Sequence, residues 1–154
     1  FISVHVLGIF EPVMDLHPEL FFFTPLIAAM AGNVGVQSSA IIVQGLANNT
    51  IIGPVVERLL KELSLSLPNG IILSAILLLG SYFLLGYEIH VGYTVSIALL
   101  SVIIMASLIG TFIPIILNKY GVDPALATGP FITTSNDILG ILTYFTIAKI
   151  ILGI

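Results

Sequence analysis

LFFFTPLIAAMAGNVGVQSSAIIVQGLANNTIIGPVV, residues 20–56, contains no Asp, Glu, Lys or Arg. A membrane-spanning helix needs about 20 consecutive, mostly apolar residues, and this window exceeds that with only amides, hydroxyls and small residues among the aliphatic ones. Windows 63–87 and 89–118 are equally free of charge, and a fourth, 124–148, holds a single one, Asp137. Across the 154 residues, 8% are charged and 58% hydrophobic, whereas a soluble domain carries roughly a quarter charged. So few charges cannot cover a water-exposed surface of this size; the solvent is lipid. The expected fold class is an all-α membrane protein, a five-helix transmembrane bundle whose first helix is truncated.

Five spans fit the pattern. FISVHVLGIF, residues 1–10, is too short to cross and is expected to be the end of a helix that begins outside these residues. No basic region opens it in the manner of a signal peptide. An acidic loop, EPVMDLHPE at 11–19, precedes a long second span at about 20–47. Residues 48–67, with ERLLKE, read as a polar connection, and Pro68-Asn69-Gly70 opens a third span at about 70–86. The fourth span runs from about 93 to 117, and NKYGVDP at 118–124 turns the chain into a last span at about 125–150 because Gly and Pro both interrupt helices.

Lysine and arginine set the orientation. Arg58 and Lys61 fall in the 2–3 connection and Lys119 in the 4–5 connection; both lie on one side, which the positive-inside rule makes cytoplasmic. Glu11, Asp15, Glu19 and Glu88 then gather on the outer side, where they would concentrate cations at an entrance. A net charge of −4 argues against nucleic-acid binding, which needs a basic surface. The absence of cysteine excludes disulfides, thiolate metal sites and cysteine nucleophiles. The place of the chain is therefore a cell membrane, crossed several times.

Asp137 is the residue that points to chemistry. Stretches 124–136 before it and 138–148 after it carry no charge, so it sits deep in the last span, where a carboxylate costs several kcal/mol unless it meets water, a cation or a partner. Thr133, Asn136, Gly140 and Tyr144 fall on the same helical face by their spacing. In the second span, AGNVGVQSSA supplies Gly32, Asn33, Gly35 and Gln37, and Asn33, Gln37 and Gln44 form a stripe at i, i+4 and i+11. Amide oxygens suit a hard cation or its water shell, although the same residue types also serve helix packing in membranes. Pro25, Pro114 and Pro130 each remove a backbone N–H, and Gly129-Pro130 lies about two turns before Asp137.

Several readings stand at this point. Asp137 is an ion ligand in a channel, the coupling acid of a proton- or Na⁺-coupled cation carrier, or a protonated group joining helices. An intramembrane aspartyl protease needs two catalytic acids, and this chain supplies only one at that depth.

At its two polar stripes the sequence resembles the MgtE family of magnesium channels. PLIAAMAGNVGVQSSAIIVQGLA is similar to the family's Pro-to-Gly-Asn-x-Gly-x-Gln segment, and DPALATGPFITTSNDILGILTYF to its Asp-Pro-Ala, Gly-Pro, Thr-Thr, Asp and Gly signature. The resemblance implies a homodimer in the lipid bilayer, with a pore along the two-fold axis between the second and fifth helices. It implies hydrated Mg²⁺ as the ion, or another divalent cation, held by Asp137 with the Thr133 carbonyl one turn earlier. Asn136, where the family is often apolar, shares the face of Asp137 and is expected with Asp137 and Thr133 at the metal site; Gly32, Asn33, Gln37, Gly129 and Gly140 would line the pore, and no enzymatic activity is implied. The cytosolic regulatory domains that gate many members have no counterpart in these 154 residues.

Overall fold

The computed structural model describes residues 2–51, 53–127 and 129–153. Among them the chain forms helices α1 (Ile2–Ile9), α2 (Glu11–Leu16), α3 (Glu19–Ala47), α4 (Val55–Phe83), α5 (Ile89–Lys119) and α6 (Pro130–Leu152), with a 3-10 turn at Pro124–Ala127 and no strand. Four of these, α3 to α6, are long and apolar enough to cross a membrane. The all-α fold follows from that solvent: with no water to satisfy backbone N–H and C=O groups, a segment must satisfy them within itself.

α5 is the centre of the bundle. Val95, Ala98, Val102, Ile103 and Ala106 along it are buried, and it packs on α3, α4 and α6. Ile27 and Ala31 of α3 meet this core from one side, and Tyr144, Phe145 and Ala148 of α6 from the other. Phe10 at the end of the first segment stacks on Phe145 with ring centroids 5.3 Å apart, which ties the short α1–α2 region to α6. Tyr144 is fully buried, and its hydroxyl donates to the Leu20 carbonyl at 2.8 Å, as a buried phenol requires.

Three boundaries differ from the expectations. The stretch read as an acidic loop contains the helix Glu11–Leu16, with Pro12 in its first turn, where a missing N–H costs nothing. The polar connection is shorter than the sequence pattern suggested, because α4 already begins at Val55 and carries Pro68 in its interior. The last span, expected from about 125, begins at Pro130, which opens α6 behind Gly129 at φ 68°.

α4 shows why its first half escaped notice. Its buried residues are Glu62, Ser66, Gly70, Ser74 and Ser81, a stripe at near four-residue spacing facing inward. Ile71, Ile72, Ile76 and Leu79 point away and are exposed. In lipid, helix contacts favour small and hydroxylated residues while aliphatic ones meet the acyl chains. At Gly70 an added Cβ would lie 2.7 Å from Leu100 Cδ1, so α4 and α5 approach closely there.

Candidate functional site

The site is built where α3 and α6 cross. Running antiparallel, they bring Gly32 beside Thr133 and Asp137, Gly35 beside Ile132 and Asn136, and Ala31 beside Gly140. A Cβ added at Gly32 would stand 3.1 Å from Asp137 Oδ1 and 3.3 Å from Thr133 Cγ2. The carboxylate therefore lies against the α3 backbone, where a methyl group would fit only if the neighbouring side chains gave way by a few tenths of an ångström. Gly32 is near the midpoint of Glu19–Ala47, so Asp137 lies beside the middle of that candidate span.

Gly35 approaches two helices at once. An added Cβ would overlap the Asn136 amide, and a Cβ at Gly110 would overlap the Gly35 carbonyl. The contact of Gly140 with Ala31 is nearly as close, at 2.9 Å for an added Cβ. Gly140 is thus a packing residue, buried between α3 and α5 rather than set on an open surface.

The face expected around Asp137 divides in two. Asp137 and Thr133 are half-buried at the protomer surface. Asn136 is fully buried, and neither atom of its amide has a hydrogen-bond partner among the described residues. Successive helical residues differ by about 100°, which turns Asn136 toward Gly35 of α3 while Asp137 stays at the edge. On α3 the polar stripe holds together: Asn33, Gln37 and Gln44 are all exposed. Gly129 is half-buried at the start of α6, where Thr133 N–H and Thr133 Oγ1 both donate to its carbonyl, at 3.0 and 3.1 Å.

The four outer acids occupy one end of the bundle. Glu11 and Asp15 are exposed on α2, Glu88 is exposed just before α5, and Glu19 is half-buried at the first turn of α3. Glu19 already has a partner, since His17 Nδ1 lies 2.9 Å from its Oε1.

One buried carboxylate was absent from the sequence expectations. Glu62, only 8% exposed, accepts a hydrogen bond from Ser38 Oγ at 2.6 Å. Its signal was present in the four-residue repeat of Glu62, Ser66, Gly70 and Ser74, but the neighbouring Arg58 and Lys61 gave the segment the look of a solvated loop. No group of three or more His, Cys, Asp or Glu side chains forms a metal cage among the described residues. What the α3–α6 crossing offers is one carboxylate at the protomer surface beside a row of amides. That suits an ion that keeps much of its own water.

Fold and site together define a multi-pass helical membrane protein with an acid beside the middle of a candidate span. Residues 24–147 match the MgtE family of divalent cation transporters, and the chain belongs to that family. It is 38% identical over 148 residues to the magnesium transporter MgtE of Bacillus subtilis, covering 96% of this chain and 33% of that one. It is 32% identical over 152 residues to the magnesium transporter MgtE of Thermus thermophilus, covering 98% and 33% respectively. The protein of the same name from Enterococcus faecalis is 35% identical over 143 residues, covering 91% and 31%. The chain thus spans about a third of the length of the curated relatives it matches. It is a multi-pass plasma-membrane protein.

Proposed function

We propose that this chain carries hydrated Mg²⁺ across the membrane along a path walled by α3 and α6, at the two-fold axis of a homodimer. The observation that carries this reading is the position of the polar stripe. Asp137 is half-buried, and Asn33 and Gln37 are exposed, on the outside of the protomer near the middle of the α3 span. Lipid is a poor neighbour for an acid and two amides. A second copy facing the same stripe would enclose them and the water they need.

The donor chemistry supports Mg²⁺ as substrate. Mg²⁺ dehydrates reluctantly, keeps several waters and is usually bound by one or two carboxylates. Two copies of Asp137 across a two-fold axis make a minimal acidic ring of the kind cation channels use. Asn136 is buried behind this surface, against Gly35 of α3. Gly32 leaves room for the carboxylate, and Thr133 places its backbone one turn away.

Mg²⁺ uptake into proteoliposomes tests the reading. Asp137→Ala is expected to abolish divalent flux while the protein still folds, since the side chain lies at the protomer edge. Asp137→Asn keeps the shape and loses the charge, so flux should fall at least tenfold. Wild-type flux in Asp137→Asn across a range of Mg²⁺ concentrations would place the path elsewhere.

A further inference from the structure

Glu62 has no place in the path described so far, yet it is the most completely buried carboxylate among the described residues. It lies in α4, seven residues past Val55 and therefore about 10 Å along the helix from its start. Its hydrogen-bond donor, Ser38, lies nine residues before the end of α3, roughly 14 Å. Each of these helices has 29 residues and is roughly 44 Å long. The hydrocarbon layer is about 30 Å thick, which leaves an overhang of roughly 7 Å at each end. With that overhang shared equally by the two ends, the Ser38–Glu62 pair lies near the cytoplasmic boundary of the layer.

No basic side chain pairs with it within 4.0 Å, although Arg58 stands one turn earlier on α4. Among the described residues the only ion pair within 4.0 Å is His17–Glu19. Instead the carboxylate opens on a cleft of about 140 Å³ lined by Gln37, Ser38, Ser66, Asn69 and Ser107 together with aliphatic groups. Ser66 and Ser107 donate to the Leu63 and Ile104 carbonyls, so their oxygen lone pairs remain free to accept. The cleft thus gathers one negative charge and several neutral oxygens, a donor set for a hard cation. Gln37 belongs to this cleft and to the exposed stripe of α3 at once.

We propose that Glu62 and the oxygens around it form a second cation site, a cytoplasmic-side station for a partly hydrated divalent ion. This rests on the reading of α3 as a wall of the ion path. Ser38 is six residues beyond Gly32 on α3, so the station lies about 9 Å toward the cytoplasm from Asp137. One carboxylate against a doubly charged ion leaves part of the charge uncompensated, and an ion so held can leave again, as conduction requires. The cleft has room for several waters at about 30 Å³ each, so the ion need not be stripped.

Anomalous scattering from Mn²⁺, in crystals of the natural full-length protein, separates this site from the first. Wild type should show one peak beside Glu62 and another beside Asp137. Glu62→Gln should remove the former and spare the latter, and Asp137→Asn should do the reverse, so the two readings fail independently. Mg²⁺ flux of Glu62→Gln in proteoliposomes should fall severalfold. Should that variant not fold, the wild-type map and Ser38→Ala carry the test, the latter with a weakened peak at Glu62 alone. A wild-type map with Mn²⁺ at Asp137 and none at Glu62 overturns the proposal, as does a Glu62 peak that persists in Glu62→Gln.

Discussion

Gly32 and Gly35 stand one helical turn apart on α3, yet their missing side chains serve different ends. At Gly32 the atom that a methyl would meet is the end of a half-exposed carboxylate, and Asp137 can swing aside by a few tenths of an ångström. At Gly35 the methyl would overlap the fully buried Asn136 amide, and the Gly35 backbone is itself pressed against Gly110 of α5. Gly35→Ala is therefore expected to lower stability by about 1–3 kcal/mol, the usual cost of overpacking a close contact. Gly32→Ala should leave the melting temperature within a few degrees of wild type but reduce Mg²⁺ flux, because it moves the acid. Thermal unfolding in detergent and flux in proteoliposomes, measured on both variants, check this division. Equal loss of stability in both would make Gly32 a packing residue only.

At the scale of elements, what the sequence disclosed and what it hid have a common cause. The charge-free windows located α3, α5 and most of α6 because hydropathy reports burial in lipid directly. Asp137 stood out for the same reason: a charge in an apolar window needs an explanation. α4 was only half legible, since its inward face is Glu62, Ser66, Gly70 and Ser74, and polar residues facing a helix bundle look in sequence like residues facing water. Asn136 shares a face by spacing with Thr133 and Gly140, and that face is wide enough to straddle both the buried Asn136 and the half-exposed Asp137. Spacing alone does not tell the two edges apart.

The outer elements carry a prediction of their own. Glu11 and Asp15 on α2 and Glu88 before α5 are exposed, while Glu19 is engaged by His17 at 2.9 Å. If the free acids raise local cation concentration, neutralising Glu11, Asp15 and Glu88 together should slow Mg²⁺ uptake at about 10 mM ionic strength, where the screening length is about 30 Å. At about 150 mM, where it is about 8 Å, the effect should fade. Glu19→Gln should do less than any of the three, having a histidine beside it already. Uptake that is unchanged at low salt would leave these residues as ordinary surface charges.

For the molecule as a whole, the distribution of polar groups bears on assembly. A protomer on its own would expose Asn33, Gln37 and the edge of Asp137 to acyl chains. A cyclic pair is the commonest closed assembly and sets one patch against its own copy, which would put the two stripes face to face across water. These 154 residues have no cysteine, so none of them competes with an engineered thiol. Asn33→Cys in native membranes should be joined to its partner by a short bifunctional thiol reagent. Leu79→Cys, on the lipid-facing side of α4 and 55% exposed, should not be. Saturating Mg²⁺ should slow the reaction at position 33, because an occupied path leaves less room for the reagent. Cross-linking at both positions alike, or a monomer that still conducts, would remove the two-fold axis and with it the acidic ring of paired Asp137 side chains.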